Sequence, residues 1–104
     1  MNSYRLSSEA RGDLDDIADY LIAKGGTLLV RHVHDAIEAA MGFLGENPGA
    51  GHLRADLTNE PVKFWSVFSY LIVYDPATQP IGIARILHGA QDLEVLFKEN
   101  PPRG

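Results

Sequence analysis

Residues Ile81 to Leu87 constrain the fold more than any other stretch. They read as a strand rich in β-branched residues, with Ile81, Ile83 and Leu87 on one alternation set and Ala84 and Ile86 on the other. A strand apolar on both faces belongs inside a sheet that is covered above and below. Arg85 interrupts the pattern. A guanidinium buried alone is very costly, so Arg85 must be paired within the fold, snorkel at an edge, or face a groove or partner. In the last reading Arg85 and His88 mark the functional end of the sheet. Both kinds of reading stand at this point.

The neighbouring segments supply that sheet. Val62–Phe68 and Tyr70–Asp75 are aromatic and β-branched, with Ser69 in a tight hairpin turn, and Pro76–Pro80 makes the next turn. Three strands joined by short turns form an antiparallel meander. Upstream, Tyr4–Leu6 reads as a short first strand, followed by Ser7 in position to cap a helix and Glu9 in its first turn. Ala10, Leu14, Ile17, Ala18, Leu21 and Ile22 recur at helical spacing until Gly25-Gly26. Thr27 can cap a second helix, with its stripe at Leu29, Val33, Ile37, Ala40, Met41 and Leu44. Two helices joined by a two-glycine turn make a helical hairpin. Residues 45–51 break the helix, and Leu53–Leu57 can form a short strand. Asp92–Phe97 can form one short helix, ahead of a frayed end at 100–104. The expected class is α+β, in a single domain over residues 1–104. It has an N-terminal strand, a helical hairpin on one face of an antiparallel sheet of three to four strands, and a short C-terminal helix.

Composition narrows the function. The formal net charge is −5, and nine Lys and Arg residues are scattered with no two adjacent. Nucleic-acid binding draws much of its affinity from clustered cations on phosphates, so direct binding to RNA or DNA is not expected. There is no cysteine, which removes disulfides and thiol chemistry. No apolar run approaches the length of a bilayer span, and the first residues lack the apolar core of a signal peptide. A cytoplasmic protein is expected. Asp13, Asp15, Asp16 and Asp19 read as a solvated helix face rather than a metal site. His32 and His34 point to different sides of a helix and form no metal pair. No cofactor is implied.

Two helices cover one sheet face only. Phe64, Trp65, Phe68, Tyr70, Ile72 and Tyr74 are too many large apolar side chains for a single inner face. Either a protein partner covers the excess, or the C-terminal segment folds back over it.

Several segments together resemble a known family. They are Tyr4–Ala10, Asp13–Tyr20, Pro48–Leu57, Tyr70–Tyr74 and Arg85–Ala90. In their order and spacing they resemble the ParE toxins of the RelE/ParE superfamily of bacterial toxin–antitoxin systems. The family commonly carries an Arg-Asp pair after the His-Gly turn, where this chain has Gln91-Asp92. The resemblance implies a ParD-like antitoxin that wraps the toxin in a hetero-oligomer, and DNA gyrase as the target of a non-enzymatic inhibitor. The RelE branch instead cuts messenger RNA in the ribosome.

The residues favour the first branch. A ribonuclease would need Arg54, Lys63 and Arg85 as phosphate-binding cations, with His88 as acid or base, and four scattered residues make a weak catalytic set. No catalytic residue is expected. Trp65, Phe68 and Tyr70 are expected as antitoxin anchors, with Arg85 meeting an antitoxin carboxylate. Arg54, Lys63 and His88 are candidates for contact with the target.

Overall fold

The computed structural model describes residues 3–89, 93–99 and 101–102. Gln91 and Asp92 lie outside the described residues. The element order is β1 (Tyr4–Leu6), α1 (Ser8–Glu46), a 3₁₀ turn (Pro48–Ala50), β2 (Lys63–Val67), β3 (Tyr70–Asp75), β4 (Ile81–His88) and α2 (Leu93–Glu99).

α1 is a helical hairpin and not one rod. A straight helix of 39 residues would run about 58 Å at ~1.5 Å per residue, whereas the longest dimension of the molecule is 37 Å. The chain reverses at Gly26, whose φ of 81° leaves the helical region. That conformation suits a residue without a Cβ, which is why the Gly25-Gly26 pair marks the bend. Ser7 starts the first limb as expected, its Oγ accepting from Ala10 N at 3.0 Å. The same hydroxyl donates to Ala84 O at 2.7 Å, and Ser7 N donates to Ile83 O at 3.0 Å. One residue therefore caps the helix and ties its start to β4.

The sheet order is β1-β4-β3-β2. The meander is antiparallel, but β1 pairs with β4 in parallel, Tyr4 opposite Ile81 and Leu6 opposite Ile83. The sheet is thus mixed: the antiparallel meander forms as expected, and β1, whose pairing the sequence left open, joins it in parallel. The hairpin of α1 carries the chain across one face, from β1 at one edge to β2 at the other, and the meander then returns to β1. The expected strand at Leu53–Leu57 does not form. His52 makes an isolated bridge to Phe64, and residues 55–57 turn.

Both faces of the sheet are covered within the chain. On the helical face Leu21, Val33, Ile37, Met41 and Leu44 pack on Tyr70, Ile72, Tyr74, Ile81, Ile83 and Ile86. On the other face Val62, Phe64, Leu71, Val73, Ala84 and Leu87 pack with Phe97 of α2, flanked by Leu57, Leu93 and Leu96. The C-terminal segment therefore folds back, and the apolar excess of β2 and β3 is buried without a partner. Pro102 is fully buried as well, which differs from the fraying expected at that position. The large apolar side chains that do stand exposed include Tyr20, Ile22 and Leu28 around the Gly26 bend, Phe43, Leu53, and Phe68 at the β2–β3 turn. Among the described residues no helix is long and apolar enough to cross a membrane.

Candidate functional site

β1 covers only the first part of β4. Beyond Ile83 the edge of β4 faces the first limb of α1, and a groove of about 440 Å³ opens there. Asp13, Asp16, Ile17 and Tyr20 line it from the helix, and Tyr70, Arg85, Leu87 and His88 from the sheet. The helix residues follow the 3-4 spacing of one stripe, beside the core stripe of Ala10, Leu14 and Leu21.

Arg85 is paired inside the fold. Its Nε donates to Asp13 Oδ2 at 2.8 Å and its Nη2 to Asp13 Oδ1 at 3.0 Å, a bidentate geometry. Asp13 Oδ2 also accepts from Ile86 N at 2.9 Å, so the carboxylate serves an edge backbone group too. The hydrogen bonds from Arg85 to Asp13 raise the guanidinium pKa above its usual value, against the opposing effect of burial. Of the readings open for Arg85, pairing within the fold is the one observed, and the reading of Asp13 as one more solvated carboxylate is corrected by it.

Tyr70 and His88 face each other across β3 and β4, rings edge-on at 5.4 Å. Tyr70 is only 6% exposed, which leaves little of it as a surface anchor. Burial, and then Tyr20, push its phenol pKa up.

Trp65 and Phe68 lie away from this groove. Trp65, half-buried on the helical face of β2, has the ring of Phe43 at 5.4 Å and that of His52 stacked at 6.5 Å. Phe68 is the first residue of the two-residue turn between β2 and β3, is 62% exposed, and holds a φ of 55°. Its ring rests against His32 at 5.6 Å. Positive φ is strained for a bulky side chain.

Arg54, Lys63 and His88 are not brought together. Arg54 is exposed and held by Asp56 at 2.8 Å, and Lys63 reaches Gly51 O at 3.5 Å. Lys63 sits opposite Tyr74 and His88 opposite Tyr70, with β3 between them. Four residues of strand, about 13 Å at ~3.3 Å each, separate those registers. Below Lys63, Tyr74 anchors the loop before β2. Its buried hydroxyl donates to Pro48 O at 2.7 Å and accepts from Gly51 N at 2.8 Å. A Cβ at position 51 would fall 2.5 Å from that hydroxyl, so the loop requires glycine there. No group of three or more His, Cys, Asp or Glu residues that could hold a metal occurs among the described residues.

A family model described as the ParE toxin of the type II toxin–antitoxin system parDE matches residues 4–93. The chain belongs to the ParE toxin family. The match runs from β1 to the first residue of α2 and includes every residue of the β4-edge groove. A ParE toxin is one half of a toxin–antitoxin pair, so a protein antitoxin is its implied partner. Among curated proteins no match to the chain is found.

Proposed function

We propose that this ParE-family toxin inhibits DNA gyrase by binding it, without catalysis, and is neutralised by a ParD-like antitoxin in the bacterial cytoplasm. The observation that carries the non-catalytic reading is the disposition of the basic side chains. Arg54 and Arg85 are each paired with an aspartate of the chain, and Lys63 and His88 stand on strands separated by β3. Cleavage of RNA through a 2′-OH needs an acid–base group and phosphate-binding cations within reach of one atom. A dispersed set supports binding over cleavage, and a net charge of −5 supports a protein target over a bare phosphate backbone.

Trp65, stacked on His52 with Phe43 tilted against it, and Phe68 at the turn are the proposed anchors for the antitoxin. Lys63 precedes Trp65 by two positions on β2, so that cation shares the strand face of the platform. Induced expression in bacteria tests the reading. Gyrase inhibition should give DNA-damage signalling and filamentation with messages intact, and purified chain should block supercoiling by purified gyrase. Immediate arrest of translation with cleaved messages, abolished by His88→Ala, would overturn it in favour of a ribonuclease.

A further inference from the structure

The β4-edge groove holds a charge that the fold leaves over. Of its three charged side chains, Arg85 takes both oxygens of Asp13, which also serves Ile86 N. Asp16, one turn further along the helix and exposed, enters no ion pair or hydrogen bond among the described residues. Ile17 and Leu87 give the groove an apolar part, and the rest of its wall is aromatic. Tyr20 stands half-exposed at the rim, and Tyr70 lies deeper with His88 edge-on against it.

A carboxylate beside phenol rings attracts a cation, because the π face carries negative charge and the acid supplies a charge-assisted hydrogen bond. Tyr20 already holds Lys24 Nζ 5.6 Å from its ring centre, an attraction of the same kind. The alternatives fit worse. An anion would meet a groove with two carboxylates to one arginine, in a chain of net charge −5. An apolar anchor would desolvate Asp16 without compensation. A space of about 440 Å³ accommodates a long basic side chain.

We propose that this groove receives the cationic head of an arginine or lysine side chain on the antitoxin, held between Asp16 and the ring of Tyr20, with the buried Tyr70 and His88 as the floor beneath it. The proposal rests on the reading of the chain as an antitoxin-neutralised toxin. It reverses the polarity expected from the sequence: the toxin supplies the acid and the partner supplies the base.

Titration of the purified chain with N-acetylarginine amide and N-acetyllysine amide, followed by NMR of the Tyr20, Tyr70 and His88 ring protons, reads the groove directly. Both amides should shift the Tyr20 and Tyr70 signals saturably, and N-acetylglutamate amide should not. Asp16→Asn should weaken binding about tenfold, and Asp16→Glu should restore most of it. Equal shifts with all three amides, or no effect of Asp16→Asn, overturn the proposal. In the complex with the antitoxin, Asp16→Lys should raise the dissociation constant tenfold or more, against about twofold or less for Asp19→Asn, a change outside the groove. Circular dichroism of both variants verifies folding. A tight complex indifferent to Asp16→Lys overturns the proposal and leaves the toxin–antitoxin reading standing. A chain that no antitoxin binds overturns both.

Discussion

Arg85 and Asp13 lie 72 residues apart in sequence and form a two-pronged ion pair, at 2.8 and 3.0 Å, across the junction of helix and sheet. The pair closes the edge of β4 where β1 stops, and fixes the first limb of α1 against it. Both side chains are largely shielded, at 22% and 12% exposure, so the interaction is screened less than a surface bridge. Asp13→Ala should destabilise the fold by about 3 kcal/mol, between the values for surface and buried pairs, because it strands Arg85 and orphans Ile86 N. Asp13→Asn should cost less, since its amide oxygen can still accept from Ile86 N. A double-mutant cycle with Arg85→Met, read by urea unfolding, checks this. A coupling near zero would mean that the pair contributes nothing.

The loop before β2 depends on one hydroxyl. Tyr74→Phe keeps the ring and removes the hydroxyl that joins Pro48 O to Gly51 N. The expected loss is about 1–3 kcal/mol, the cost of leaving buried polar groups unsatisfied. Urea unfolding measures it, and hydrogen exchange should speed up at Gly51 before it does so in β3.

Phe68 combines positive φ with 62% exposure. Phe68→Gly should relieve strain and raise stability by about 1 kcal/mol. If Phe68 anchors the antitoxin, the same change should weaken the complex by about 2 kcal/mol or more, as loss of an aromatic hot spot does. Thermal unfolding and calorimetry together test this. A variant that is more stable and binds unchanged would remove Phe68 from the interface.

Alkaline pH should destabilise the protein. Burial raises the pKa of Tyr4, Tyr70 and Tyr74 above the ordinary value of 10.0. The unfolded chain ionises these phenols first, so stability is full below about pH 10 and is lost as pH rises toward the folded-state values. The urea midpoint should fall steadily above about pH 10. Tyr74→Phe should flatten part of that slope, and an unchanged slope would exclude Tyr74 as a contributor.

The sequence by itself determined the elements. Gly25-Gly26 sets the bend, Ser7 the helix start, and alternating β-branched and aromatic residues the meander, because these depend on local backbone preference and periodicity. It also marked Arg85 and His88 as one end of the sheet, and the strand register brought Tyr70 beside His88. Only the tertiary structure decided what they face. Asp13, Asp15, Asp16 and Asp19 look alike in sequence. The rotation of α1 against β4 turns Asp13 onto Arg85 and leaves Asp16 without an ion pair among the described residues, at the groove, and that phase is set by packing. The parallel pairing of β1 was equally hidden, since a three-residue strand carries too little pattern to name its partner. The second face gave the clearest case. Apolar excess on β2 and β3 is equally compatible with a foreign chain or with α2. The choice fell to α2 because its Phe97 reaches Phe64, a contact between residues 33 positions apart that no local pattern encodes.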